Sequence, residues 1–302
     1  MTKVRKPSQQ PGQSLFVFLC VFPAVVLYTA FMVWPTLDVF RMSLFQWSGF
    51  GGQPTFIGLQ NFVYLLSDNQ FIRAFQNTIL LMVVVSIATM AGGLVLGSIL
   101  MRENLPGRNL YRFVLYIPSV LSIVVVAAIF SAIYGQVDGL LNGTLNLIGL
   151  GQFGQVWLGD RQIIIYSIGI AMVWQSLGYY LVIYMAGISS IPEALYEAAA
   201  IDGASRTRQF FAITLPLAWG TLRTTLIFFI IGSVNLSFVL VTAMTQGGPN
   251  GASEVLLSYL YRQAYTNSTY GYAMAIGVVT FVFSFVLALI VSRATKREVY
   301  QY

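Results

Sequence analysis

The chain has 302 residues, of which 57% are apolar and only 9% charged, with no His and one Cys. This composition excludes a water-soluble domain and defines an integral membrane protein. The net charge of +6 reads as a topology signal and an attraction to acidic lipid headgroups, not as a nucleic-acid-binding surface.

In chain order, a tail over 1–13 rich in Gln, Pro and Ser is expected to be disordered. Charges then bound six uncharged stretches, 6–38, 73–102, 112–138, 161–193, 223–254 and 262–293, each long enough to cross a bilayer as a helix, which takes about 20 residues. The expected fold is therefore all-α and polytopic, with a six-helix domain over 14–292 and a short C-terminal tail over 293–302. The apolar run from Leu15 to Leu37 exceeds the core of a secretory signal and lacks a small-x-small cleavage site, so an uncleaved helix is expected. Cys20 within it reads as inert packing.

Six crossings place twelve of the sixteen Lys and Arg on one side, leaving Arg41, Arg73, Arg161 and Arg262 on the other. By the excess of positive charge in cytoplasmic loops, both termini and the 193–223 connection are expected in the cytoplasm. On the outer side, Gly49, Gly51, Gly52 and Pro54 break the 38–73 connection. A helix lying along the outer membrane surface is expected to start within Phe56-Ile57-Gly58-Leu59-Gln60-Asn61-Phe62. A second interfacial helix is expected after Asp138 as cap, with Leu140, Leu141, Leu145 and Ile148 at helical spacing. No internal repeat or soluble domain is evident, so the six spans form one domain.

The segment 190–217 stands out as a polar island between apolar stretches. Ser190 and Glu193 have the spacing of a capping box, and Pro192 suits a first turn. A helix is expected to run to about Asp202 and to end at Gly203, which takes a left-handed backbone without the side-chain penalty of roughly 1–2 kcal/mol. A second short helix, capped by Asp202 or Ser205 and closed before Pro216, would turn Phe210, Ile213 and Leu217 to the membrane domain. Ala198 and Ala199 keep the first helix thin enough to enter a groove, and Glu197, Arg206 and Arg208 offer charges to a partner.

Other chemistry is missing. The three Lys residues never follow Gly, so a phosphate-cradling Gly-Lys-Ser/Thr loop cannot form. Without His, and with a single Cys, histidine-containing zinc sites, His-based triads and internal disulfides are excluded. The spans carry no ionisable group away from their ends, which disfavours an ion-coupled pump. A solute path is expected instead at polar and aromatic residues within apolar spans: Trp174, Gln175, Tyr179, Tyr180, Ser233 and Asn235. Of these, Asn235 is the leading candidate, because an amide near mid-span needs partners or a wet cavity. The bland alternative is that the rings belong to interfacial belts or helix packing, with the polar groups bonding neighbouring helices.

The island resembles the cytoplasmic loop of the membrane subunits of ATP-binding-cassette importers, whose pattern is Glu-Ala-Ala, three residues, Gly, nine residues, Ile, one residue, Leu-Pro. Glu197, Ala198, Ala199, Gly203, Ile213, Leu215 and Pro216 occupy its fixed positions. A second region is similar to the carbohydrate permeases of the maltose and glycerol-phosphate type. It comprises Thr245-Gln246-Gly247-Gly248-Pro249, Ser253-Glu254, Leu256, Tyr259, Tyr261 and Gly271-Tyr272-Ala273, joined by Gly58 to Phe62 and the Asn77-Thr78 pair. Ser253 stands where Thr is common, and Val239 where many relatives carry an acidic residue, which leaves the solute open.

The resemblance implies a permease subunit of a binding-protein-dependent sugar importer in a prokaryotic plasma membrane, forming half of the translocation pathway. It implies that Glu197, Ala198, Ala199, Asp202, Gly203, Arg206 and Arg208 couple the chain to an ATPase. The implied partners are a second, unlike permease subunit, two ATPase subunits that hold ATP and Mg, an outer solute-binding protein and membrane lipid. No catalytic residue, metal, resident cofactor or nucleic acid is expected. The alternative is a stand-alone secondary carrier or channel for a small polar solute; a membrane-bound enzyme is a weaker rival.

Overall fold

The computed structural model describes residues 13–49, 51–102, 105–136 and 139–296. The basic N-terminal tail, Asp138 and Arg297 lie outside the described residues. The described residues are mostly helical. Helix α1 (Gln13–Tyr28) runs on through one π turn (Thr29–Val33) into α2 (Trp34–Met42). A two-residue hairpin, β1 (Phe45–Gln46) antiparallel to β2 (Thr55–Phe56), leads to α3 (Gln60–Ser67). The hairpin was not legible in the sequence, but Gly49, Gly51 and Gly52 between its strands all have positive φ, the conformation in which glycine breaks a chain. Helix α3 begins inside the 56–62 stretch where a helix is expected, while Phe56 itself belongs to β2.

The second span is α4 (Asn69–Arg102), begun by the Asp68 carboxylate, which accepts hydrogen bonds from the N–H groups of Gln70 (2.9 Å) and Phe71 (3.3 Å). Helices α5 (Arg108–Val120) and α6 (Ile123–Ile133) follow. Next come α7 (Leu140–Leu147) and α8 (Ile164–Ser189). The 190–217 segment supplies α9 (Glu193–Ile201), α10 (Arg206–Gln209), a π turn (Phe210–Thr214) and α11 (Leu215–Leu217). Helix α12 (Trp219–Met244), α13 (Leu256–Tyr261) and α14 (Tyr270–Ala294) complete the chain.

Among the described residues, five helices are long and apolar enough to cross a bilayer: Leu15–Met42, Asn69–Met101, Ile164–Ser189, Trp219–Met244 and Tyr270–Ala294. The sixth expected span, 112–138, is not a straight helix. Helices α5 and α6 meet at 103°, because Pro118 lies inside the last turn of α5 and both Leu121 (ψ 144°) and Ser122 (ψ 138°) are extended. Each arm is too short to cross alone, at roughly 20 Å and 16 Å of helix against about 30 Å of hydrocarbon. Periodicity and length had no way to register a break made by two extended residues.

The core forms where α4 packs on α8. Glycines on α4 permit close approach, and a methyl on Gly93 would sit 3.3 Å from the Leu181 backbone N and the Tyr184 ring. Leu81, Val85, Ile168 and Met172, all essentially inaccessible, fill the seam. Small residues play this part in lipid, where apolar packing against a neighbour competes with apolar packing against acyl chains. The buried Tyr184 hydroxyl reaches Thr225 Oγ1 at 2.8 Å and so ties α8 to α12.

The first span stands apart. Its residues 15–37 are exposed, and it touches the bundle through α2 on α14, where Phe40 meets Phe281 edge-on at 5.7 Å. Cys20 is exposed on this arm, so the expectation that it packs inside the protein is corrected.

At the end away from the 190–217 segment, the second motif region forms a clasp. Asn77 donates both Nδ2 hydrogens, to the carbonyls of Ala252 and Glu254 at 2.8 Å each. Thr78 accepts from Leu256 N–H at 3.0 Å, and Ser253 Oγ donates to Gly248 O at 2.7 Å. The Gly-Gly-Pro run is thus more than a turn closing a span, because its neighbours are knitted to α4. Asp68 also accepts from the hydroxyls of Tyr259 and Tyr272.

The Asp68 carboxyl is pushed up by burial, but hydrogen bonds from Tyr259, Tyr272 and the two N–H groups outweigh this and hold it below the usual carboxylate range. A lowered value means that the stabilisation is present above the unfolded carboxyl pKa of about 3.9 and is lost as pH falls through the folded value. Glu254 has the opposite sign. Burial raises it despite Arg262, 3.4 Å away, and Ser258, so its contribution is present at low pH and fades as pH rises through the folded value. Thermal denaturation of the detergent-solubilised protein is therefore expected to show an acid-side loss that is shallower in Asp68→Asn. In Glu254→Gln the same loss should be steeper. Equal acid profiles in the wild type and both variants would remove the clasp carboxylates as its cause.

Candidate functional site

The 190–217 segment folds as two short helices around a sharp turn. Helix α9 ends at Ile201, and Gly203 takes φ +75°, as its position in the sequence predicts. Ala204 N–H returns to Ala199 O at 2.8 Å and closes the helix end. The second helix is capped by Ser205, whose hydroxyl accepts from Arg208 N–H at 3.3 Å; Asp202 is instead the C-cap of α9.

Two expected details fail. The Ser190–Glu193 capping box does not form, because Ser190 closes α8 and its hydroxyl donates to Gly187 O at 2.7 Å; Pro192 is the N-cap. The second helix also does not stop before Pro216. It widens into the π turn and continues through Leu217, since a wider turn accommodates a proline that can neither donate to the preceding turn nor fit its ring against it.

The inner face of the segment is anchored. Tyr196 is buried, and its hydroxyl meets Thr214 Oγ1 at 3.0 Å; Phe210 and Leu215 pack on the main core. The outer face is free of this packing. Glu197, Ala198, Asp202, Gly203, Arg206 and Arg208 are exposed, with Ala199 half-buried. The sequence reasoning missed Ile201, which is 87% exposed and gives the tip an apolar knob between its charges. Its signal was present, as an isoleucine placed directly before a helix-ending Asp-Gly pair and so away from the packed face.

The surrounding scaffold is braced at the same end. Trp219 Nε1 donates to Thr295 O at 2.9 Å, and Arg223 Nη2 donates to Ser292 O at 2.8 Å, which locks the start of α12 to the end of α14. The loop thus joins the end of α8 to the start of α12, which is itself tied to the end of α14.

The expected solute-path residues do not converge. Trp174 meets Phe130 of α6 edge-on at 5.4 Å, and Tyr180 packs against Tyr179 at 5.2 Å and Phe229 at 5.1 Å. Gln175 is half-buried and Tyr179 exposed on the same helix. Ser233 is 2% exposed and donates to Ile230 O of its own helix at 2.8 Å. Asn235 lies elsewhere, in an open groove of about 410 Å³ between α12 and α14 with Gly277, Thr280 and Ser284. It is exposed there. Helical phase explains the separation, since Phe229 and Asn235 are six residues apart and occupy different faces of α12.

Asn235→Leu is expected to preserve assembly while weakening uptake by about tenfold, the size of one lost polar contact of about 1–1.5 kcal/mol. Uptake kinetics in proteoliposomes that match the wild type would take this residue out of the path.

A bundle of membrane-length helices carrying an exposed helix-turn-helix is the architecture of a polytopic membrane protein. The chain belongs to the family described as binding-protein-dependent transport system inner membrane component, which it matches over residues 90–298. It is 38% identical to a probable ABC transporter permease protein, YurN, of Bacillus subtilis, over 90% of this chain and 93% of that one. It is 32% identical to the trehalose/maltose transport system permease protein MalF of Thermococcus litoralis, over 88% of each. Among solved structures it is similar to a bacterial ABC transporter for import of the acidic polysaccharide alginate. The TM-score is 0.82 at 25% identity, covering 93% of this chain and 95% of that one.

Proposed function

We propose that this chain is one of two unlike permease subunits of an ATP-driven importer for a sugar or oligosaccharide, and that its 190–217 loop is the coupling element. The observation that carries the reading is the tip of that loop. A left-handed Gly203, an 87% exposed Ile201 and the charges of Glu197, Asp202, Arg206 and Arg208 sit on a base that Tyr196, Phe210 and Leu215 fix to the bundle. An exposed apolar residue ringed by charges is the composition of a docking knob.

In this proposal the loop lies in the cytoplasm with both termini, within a prokaryotic plasma membrane. It inserts into one of two ATPase subunits, which hold ATP and Mg. ATP-driven closure of those subunits pulls the loop and, through the braced feet of α8, α12 and α14, opens the pathway outward. Hydrolysis resets it. An outer solute-binding protein delivers the sugar at the clasp end. The chain's contribution is pathway and coupling, and the saccharide class is supported by relatives whose names specify trehalose/maltose and diacetylchitobiose uptake.

The test is reconstitution of the chain with its partner permease, ATPase subunits and binding protein in proteoliposomes. ATP inside the vesicles, on the ATPase side, should drive sugar uptake that stops when the ATPase subunits are omitted. Uptake without them, driven by an ion gradient, would replace this reading with a secondary carrier.

A further inference from the structure

At the end of the molecule opposite the 190–217 loop, the β-hairpin, α3 and the turn before α14 enclose a cleft of about 410 Å³, within the size range of small-molecule sites. Among the described residues, no Asp, Glu, Lys or Arg lines it. Gln46, Trp47, Gln60, Asn61, Tyr64 and Ser268 form most of its polar and aromatic wall. None of these belongs to α8 or α12, so the cleft is separate from the candidate solute path.

The wall is held in place by tertiary bonds. Asn61 is only 5% exposed and donates its two amide hydrogens to Ser43 O at 2.8 Å and Phe45 O at 3.0 Å. Trp47 O accepts from Gly271 N–H at 3.2 Å, and the Trp47 ring lies 5.8 Å from that of Tyr270. Hydrogen-bonding capacity is left over. Gln60 uses its Nε2 on the Tyr64 hydroxyl at 2.8 Å, keeping its amide oxygen. Among the described residues, no donor reaches Asn61 Oδ1 and no partner engages the Gln46 amide or the Ser268 hydroxyl.

We propose that this cleft is a subsite for a neutral pyranose ring, which rests on the sugar reading above and adds a second, peripheral place where the carbohydrate is held. Amide oxygens accept from sugar hydroxyls, amide and hydroxyl hydrogens donate to them, and the Trp47 and Tyr64 rings cover the apolar C–H face of the ring. A purely apolar ligand would cover the Asn61 oxygen without giving it a donor. An acidic saccharide would find no cation in the lining to neutralise it.

The experiment uses the assembled importer in lipid nanodiscs without binding protein, with maltose, trehalose and diacetylchitobiose as probes in saturation-transfer NMR. At least one of the three should receive saturation on its ring C–H protons. Trp47→Ala should reduce that transfer at least fivefold, Trp47→Phe should retain most of it, and an alginate oligomer should give none. Absence of transfer from all three sugars, or transfer unchanged in Trp47→Ala, overturns the subsite, and ATP-driven sugar uptake measured in parallel shows whether the sugar reading still stands. If Trp47→Ala instead weakens docking of the solute-binding protein while sugar transfer is unaltered, the cleft receives a polypeptide loop and the proposal is overturned.

Discussion

Gly203→Val is expected to leave the protein inserted and assembled while cutting ATP-driven uptake at least tenfold and breaking its link to ATP hydrolysis. The physical ground is narrow. Gly203 has φ +75°, and a side chain there would meet nothing within 4 Å, so the substitution acts on backbone conformation alone. A side-chained residue in the left-handed region costs roughly 1–2 kcal/mol, and a β-branched one more. Relief of that strain would straighten the turn and swing Ile201 and Asp202 away from the direction in which the base of the loop now presents them. Gly203→Asn serves as the internal control, because Asn tolerates the left-handed region and should retain most of the uptake. Sugar-stimulated ATPase activity and uptake, measured on the same proteoliposomes, decide the matter. Normal coupling in the Val variant would show that the turn is not what transmits the stroke.

Gly178→Val is expected to have the larger effect on folding. At Gly178 helix α8 runs against the α5 arm so closely that an added Cβ would lie 2.1 Å from Leu115 O and 2.7 Å from Tyr116 Cα. These are backbone atoms, which cannot rotate away. The bent α5–α6 pair would have to separate from α8, exposing backbone and leaving the seam of Leu181 and Met185 with Leu115 open. Overpacking costs about 1–3 kcal/mol where side chains can adjust; here they cannot, and loss of the folded protein from the membrane fraction is expected. Gly178→Ala should show a lesser loss, read as a lowered midpoint of thermal aggregation in detergent. Wild-type stability in both variants would mean that α5 does not pack where the structure puts it.

Together the two glycines separate what the loop does from what the bundle needs. Gly203 sits in open space and its value is conformational, whereas Gly178 has ordinary backbone angles and its value is the room it leaves. The local sequence around Gly203, an Asp-Gly after an alanine-rich helix, advertises its role. Nothing around Gly178 in Leu177-Gly178-Tyr179 does, because the atoms that demand a glycine belong to residues more than sixty positions earlier.

The same distinction runs through the candidate path. Asn235 could be singled out from the sequence because an unmatched amide in an apolar run is conspicuous in a solvent that cannot hydrogen-bond. Its separation from Trp174 and Tyr180 could not, since the phase of one helix against another is set by how α4, α8 and α12 pack. Ser233 illustrates the point: it reads as a polar path residue, and only the packing shows that it faces the interior of the bundle at 2% exposure with its hydrogen on the carbonyl three residues back.

What the sequence determined by itself was whatever depends on local chemistry or on the solvent: membrane residence, five membrane-length helices, the short helix that starts within 56–62, and the turn at Gly203. Hydrocarbon forces every backbone group into a helix, so apolar length translates directly into spans. Only the structure decided that the sixth apolar stretch is a helix pair bent by 103°, that the first helix stands clear of the bundle, that Asn77 and Asp68 clasp the 252–272 region, and that Ile201 forms the tip of the loop. The clasp and the clearance of the first helix depend on contacts between residues distant in the chain; the bend and the exposed Ile201 arise from local backbone, at Leu121-Ser122 and at the Asp202-Gly203 turn, that apolar length and periodicity do not register. In a chain this apolar, one helix face differs too little from another for its pattern to say which side meets protein and which meets lipid.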